Sequence, residues 1–128
     1  MKGFNIGIHV LIKKAGKYLI LKRSATDPDG PGDWDLPGGG MKLGEQPFQA
    51  IRREAGEEAG VKVKNTRLLN VYAIPFRHVW SVEMTAEASY ASGRIRLSPE
   101  HTEYRWMTWG QLKKTKRRSH PIKSLFPR

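Results

Sequence analysis

Gly39-Gly40-Met41-Lys42-Leu43-Gly44-Glu45-Gln46-Pro47-Phe48-Gln49-Ala50-Ile51-Arg52-Arg53-Glu54-Ala55-Gly56-Glu57-Glu58-Ala59-Gly60-Val61 contains one helix with both ends legible. Pro47 suits the first helical position, Gln49 can reach back toward the cap, and Gly60 is a C-terminal stop. Phe48, Ile51, Ala55 and Ala59 fall on one stripe at helical spacing and are expected to face a core. Gly56 inside the helix costs about 1 kcal/mol relative to Ala.

The same helix is more acidic than its own stability favours. Glu54, Glu57 and Glu58 stand at i, i+3 and i+4, so they are expected to converge on one flank beside the apolar stripe. Like charges at these spacings repel, and the last turns of a helix disfavour negative charge. Arg53 can pair with Glu57 at i+4, but one cation does not balance three carboxylates. Such a cluster points to a bound cation. Carboxylates without Cys partners are hard oxygen ligands, so Mg²⁺ is the expected ion, with Mn²⁺ as an alternative and zinc disfavoured.

Outward from the helix, Phe4–Ile12 and Tyr18–Lys22 read as two strands joined by a turn around Gly16. Asp27–Gly32, with two Pro and two Gly, is a loop. Trp34–Leu36 is a short apolar stub ahead of Pro37 and a glycine loop at 38–40. Val61–Val71 and Val79–Ala88 read as strands with Pro75 between them, and Glu103–Thr108 as a further short strand. A second helix is expected over Gln111–Lys116 and a third including Ile122–Phe126. Strands, helix, strands, helix without an internal repeat suit an α/β fold, a mixed sheet sandwiched by helices.

A chain of 128 residues is the length of one compact domain, expected to span 1–128. The absence of Cys excludes disulfides, zinc–thiolate sites and a thiol nucleophile. No apolar run approaches the roughly 20 residues of a membrane span, and the N-terminus lacks the pattern of a signal peptide. A cytoplasmic protein without membrane contact is expected. The net charge of +11 is uneven, because eight basic residues and no acidic one follow Glu103. The basic segment, about 104–128, favours phosphate-bearing partners, nucleic acid among them; the plainer alternative is a solvated face.

From Gly39 the chain reads Gly, five residues, Glu45, seven residues, then Arg53-Glu54-Ala55-Gly56-Glu57-Glu58-Ala59-Gly60-Val61. This matches the box G-x5-E-x7-R-E-U-x-E-E-x-G-U at its seven fixed positions, and the chain therefore resembles the Nudix hydrolase family. Trp34-Asp35-Leu36-Pro37-Gly38 and Glu103-Tyr104-Arg105-Trp106-Met107 resemble flanking segments of its MutT-like branch. Ala55 is smaller than the aliphatic residue usual there. The resemblance implies an α/β/α sandwich with a mixed sheet. It also implies hydrolysis of a nucleoside diphosphate linked to another moiety, by water attack at phosphorus. Glu54, Glu57 and Glu58 would then be metal ligands, with the Gly39 carbonyl as a further one, and Arg53 and Glu45 would orient the set. The proton acceptor stays open between a box glutamate and Glu103 on a facing loop, with Glu100 as its understudy.

Substrate choice lies outside the box. Arg23 at the end of the second strand is a candidate for a phosphate. Tyr72, Phe76, His78 and Trp80 straddle Pro75 and are candidates for base stacking, although aromatics at strand positions equally suit a core. Ser119 falls where relatives that clear oxidised guanine carry Asn, and a hydroxyl lacks the paired donor and acceptor of an amide. A nucleotide pyrophosphohydrolase is the first reading. RNA 5′-end processing or nucleic-acid binding directed by the basic segment is the alternative. ADP-ribose hydrolysis, suggested by Pro75 lying 14 residues beyond Val61, is weaker. A catalytically silent nucleotide sensor is opposed by the intact carboxylates.

Overall fold

The computed structural model describes residues 3–127. In chain order it holds β1 (Phe4–Lys14), β2 (Lys17–Arg23), β3 (Trp34–Asp35), β4 (Gly38–Gly40), α1 (Pro47–Ala59), β5 (Lys62–Phe76), β6 (Val79–Ser92), β7 (His101–Met107), α2 (Trp109–Lys114) and α3 (His120–Lys123). The seven strands form one mixed sheet in the order β3-β2-β1-β6-β5, with β4 paired to β1 and β7 to β2. β1 and β6 run parallel and the other pairs antiparallel.

Alternation along the strands supplies two apolar faces. Ile8, Val10 and Ile12 of β1 and Leu19 and Leu21 of β2 pack with Ala50, Ile51, Ala55 and Ala59 of α1. Leu11 and Ile20 point the other way and pack with Leu112 of α2 and Ile122 of α3. The sheet is therefore covered on both faces, as the expected α/β/α sandwich requires. Among the described residues no helix is long and apolar enough to cross a membrane.

α1 begins and ends where the sequence predicts. Gln49 Oε1 accepts the Gln46 backbone N–H at 3.1 Å, Pro47 opens the helix, and Gly60 closes it at φ +74°. A Cβ at Gly60 would stand 3.0 Å from the Arg94 carbonyl, so both the backbone angle and the space require glycine there. Phe48 departs from the expected stripe: it lies in the first turn at the margin of the contact face and is exposed, while Ala50 is buried.

Four other expectations are corrected. The glycines at 38–40 form strand β4 rather than a loop, because a Cβ at Gly38 would meet the Ile8 carbonyl at 2.1 Å and its absence lets the two backbones pair. Pro75 lies inside β5, opposite Trp80, rather than between strands. β5 is an edge strand, where a missing donor is tolerated. The β5–β6 turn is instead Arg77-His78, both at positive φ, as a two-residue hairpin demands. α2 starts two residues before Gln111, since Thr108 and Gln111 cap one another, and α3 stops short of Phe126.

Candidate active site

β1 and β2 are paired only beside their turn, at Lys13–Tyr18 and Lys14–Lys17. Beyond it they part, β1 continuing with β4 and β6 and β2 with β3 and β7. A cavity of about 770 Å³ opens in this fork, with residues from the start of β1, the end of β2, β4, α1 and the end of β5 in its walls.

Arg53 organises the α1 wall. Its Nε and Nη2 donate to the two carboxylate oxygens of Glu45 at 2.7 and 3.0 Å, its Nη1 to Glu54 at 2.7 Å and Glu57 at 3.0 Å, and its Nη2 also to the Gly40 carbonyl at 2.9 Å. Planar donors on three edges make this possible, and an ammonium could not do the same. The bonds from Arg53, with the Lys42 backbone N–H, hold the Glu45 carboxyl down at about 2, and the Arg53 guanidinium is raised in return.

The three helix glutamates act on one another as neighbours but differ in burial. Glu54 and Glu58 are buried whereas the Glu57 side chain is 51% exposed. Arg53 draws Glu54 and Glu57 together, and Glu58 turns into the cavity, where its Oε1 accepts the Gly38 N–H at 2.8 Å. Burial raises the Glu54 carboxyl despite Arg53. Burial and the neighbouring Glu100 push Glu58 up to about 9 against the pull of the Gly38 N–H. Gly39 stands directly against this wall, since a Cβ there would lie 2.7 Å from Glu54 Oε1.

These residues fit a hard divalent cation. The donors are oxygens throughout, two of the carboxyls are raised by burial, and glycine keeps the Gly39 backbone open beside Glu54.

Glu103 lies within β7, not on a facing loop. It shares a strand face with Arg105, to which it is bonded at 3.0 Å, and with Met107, which packs in the α2 layer. A register shift opposite Lys22 and Arg23 separates Glu103 from His101 and turns it away from the box. Glu100 is the residue brought to the cavity: a donor atom from each of Glu58, Glu100 and His101 lies within 4.8 Å of the others. Burial lowers the pKa of the His101 imidazole.

Arg23 lines the cavity but is already engaged, its Nε donating to Asp35 Oδ2 at 2.8 Å. Burial opposes the Asp35 carboxylate, and Arg23, His9 and Ser119 together outweigh it and lower its pKa. Ser119, at the N-cap position of α3, is buried behind that carboxylate and donates to Asp35 Oδ1 at 2.6 Å, so it acts on the cavity through Asp35. Of the aromatic candidates, Phe76 lines the cavity. Tyr72 bonds through its hydroxyl to His120 Nδ1 at 2.7 Å. His78 is exposed in the hairpin turn, and Trp80 pairs with Pro75 and Phe4 on the opposite sheet face. Neither lines the cavity: His78 sits in the turn beyond the strands, and the Trp80 side chain points to the other face of the sheet.

Sequence reasoning missed His9, Glu83 and His120, which line the cavity on β1, β6 and α3. A His inside the apolar run of β1 was a signal for the first. Ser81 and Glu83 alternate with apolar residues, which does not say what covers their face.

A family model for the NUDIX domain matches residues 1–127. The chain is 31% identical to a MutT-like protein of Streptomyces ambofaciens over 77% of its own length and 60% of that protein's, so it spans less than two thirds of this relative. It is 28% identical to the nucleoside triphosphatase NudI of Escherichia coli, over 76% of this chain and 77% of the relative. Among solved structures, the MutT NUDIX hydrolase of Burkholderia pseudomallei superposes with a TM-score of 0.82 at 26% identity, covering 96% and 95% of the two chains. The MutT protein of Methanosarcina mazei Go1 gives 0.82 at 24% identity over 98% and 91%, a likeness of fold.

Proposed function

Because the chain belongs to the NUDIX domain family, we propose that it acts as one domain to hydrolyse a nucleoside diphosphate linked to a further group, a nucleoside triphosphate or related nucleotide. The observation that carries this reading is the Arg53 fork, which holds Glu45, Glu54, Glu57 and the Gly40 carbonyl in one array beside the cavity. Similarity to a MutT-like protein and to the nucleoside triphosphatase NudI supports the substrate class.

Glu54, Glu57, Glu58 and the Gly39 carbonyl would hold Mg²⁺, or Mn²⁺ in its place. When bound, the ion supplies positive charge against the pyrophosphate oxygens and the attacking water. Glu45 and Arg53 position the ligands and do not touch substrate. The water oxygen forms the new bond to phosphorus, and the bridging P–O bond breaks with its electron pair on the departing phosphate. Glu100, beside Glu58 in the cavity wall, accepts the water proton. Arg23, held by Asp35, presents a fixed guanidinium across the same space for a phosphate oxygen. Positioning and charge supply most of the rate.

A second reading rests on a basic surface next to this cavity. Lys22, Trp34, Lys116 and Arg117 border a shallow groove that shares Arg23 with the cavity, and Lys22 and Arg105 lie over the Trp34 ring. Cations around an aromatic face suit a strand of RNA continuing from a 5′ triphosphate.

Product identification by phosphorus NMR tests both. Incubation with Mg²⁺ and nucleoside triphosphates, ADP-ribose, dinucleoside polyphosphates or triphosphate-ended RNA is expected to give a nucleoside monophosphate and pyrophosphate from a free nucleotide. Turnover of RNA ends alone selects the second reading, and turnover of nothing overturns both.

A further inference from the structure

His9 of β1, Glu83 of β6 and His120 of α3 meet on the cavity wall away from the box glutamates. His9 Nε2 is 2.9 Å and His120 Nε2 3.6 Å from the same Glu83 oxygen, and one donor atom of each residue lies within 4.8 Å of the others. The Tyr72 hydroxyl bonds His120 Nδ1 at 2.7 Å and leaves Nε2 directed at Glu83. A second hydrogen bond of this kind is how proteins orient a ligating imidazole. Glu83 Oε2 accepts from Ser81 Oγ at 2.6 Å, so Oε1 is the oxygen left to the imidazoles. Among the described residues no Lys or Arg pairs with Glu83.

Two glycines make the room. A Cβ at Gly7 would stand 2.2 Å from Glu83 Oε2, and one at Gly38 2.7 Å from His9 Nδ1. His9 and Glu83 are 8% and 5% exposed, whereas His120 is half-buried and borders the open space.

We propose that His9, Glu83 and His120 bind a divalent ion of the zinc type, separate from the oxygen-only site on α1. Two imidazoles and one carboxylate favour Zn²⁺, Co²⁺ or Ni²⁺ over Mg²⁺, and three protein donors leave a position for water or a donor atom of a bound molecule in the cavity.

The test uses the full chain, stripped with a chelator, saturated with Mg²⁺ to fill the oxygen site, and titrated with Co²⁺ and Zn²⁺. The expected result is uptake of one Co²⁺ with visible d–d absorption and calorimetric competition by Zn²⁺. His120→Asn, at a half-buried position, is expected to weaken uptake by about 100-fold, and Tyr72→Phe by about 10-fold, each with an unchanged circular dichroism spectrum. Glu58→Gln is expected to leave Co²⁺ affinity and spectrum unchanged. No Co²⁺ uptake by the parent chain, uptake indifferent to His120→Asn, or uptake lost in Glu58→Gln instead would each overturn the proposal.

Discussion

On the α1 side of the cavity one guanidinium, Arg53, is shared by the carboxyls of Glu45, Glu54 and Glu57 while Glu58 takes the Gly38 N–H, whereas on the opposite wall one carboxylate, Glu83, is shared by two imidazoles. Glu58 and Glu83 are equally buried, each 5% exposed, yet their acidities move in opposite directions. Burial raises Glu58, with Glu100 adding to it. Burial opposes Glu83 too, and His9, Ser81 and His120 outweigh it and lower its pKa. The partners around each carboxyl set the direction in which it moves. One wall is left short of positive charge and the other is balanced from within, which is why the first suits a hard cation and the second a softer one that replaces protons on nitrogen.

The largest effect expected of a single change is on the α1 wall. Glu57→Gln removes an exposed carboxylate and is expected to cut turnover at saturating Mg²⁺ by at least about 100-fold, while the unfolding free energy stays within about 0.5 kcal/mol. Comparable turnover would remove Glu57 from the proposed ligand set and weaken the contrast between the walls.

Neighbouring glycines sharpen the same point. A Cβ at Gly39 would displace Glu54, whereas one at Gly40 meets nothing within 4 Å. Gly39→Ala is expected to lower kcat by roughly 10- to 100-fold, a loss on the scale of a disturbed ligand support, with Gly40→Ala near the parent. Equal effects would show that the Gly39 backbone is not closely matched to Glu54.

The acidity of Glu58 sets a pH dependence in the metal-free chain. Its folded pKa is above the unfolded value, so between the two the folded state binds more protons and stability falls as pH rises. From pH 7 to 9, above the range of the lowered imidazoles of His101 and His120, Tm in a chelator is expected to fall, and Glu58→Gln to flatten the slope. Differential scanning calorimetry reads both; an equal slope in the variant would assign the effect elsewhere.

The smallest effect separates the cavity from the other sheet face. Phe76→Ala is expected to raise KM several-fold, a loss of roughly 1 kcal/mol of contact, and Trp80→Ala to leave KM within about twofold. The reverse order in steady-state kinetics would place the substrate on the sheet face that carries Trp80.

Much of the fold and one wall of the site were legible because they depend on local chemistry. Pro47, Gln49 and Gly60 mark α1 whatever packs against it, and residues 53–58 deliver their charges within two turns. The paired strands β1 and β2 were visible in their apolar runs. Trp80, His78 and Glu103 were misplaced because strand phase depends on turns and register shifts beyond any single strand: the hairpin at Arg77-His78, and the shift opposite Lys22 and Arg23. Glu83 carried no signal of its own, since alternation says which residues share a face and not what covers that face.

The sequence by itself determined the helix with its caps, the oxygen-rich charge cluster, the α/β class and the basic C-terminal segment, all set by neighbours a few residues apart. Only the tertiary structure decided that Glu100 rather than Glu103 borders the box, that Ser119 stands behind Asp35, and that His9, Glu83 and His120 meet. Those three are 74 and 37 residues apart in succession, and they are brought together by the parallel pairing of β1 with β6 and the docking of α3. No local pattern carries that information, because the contact is made by the sheet and not by the segments themselves.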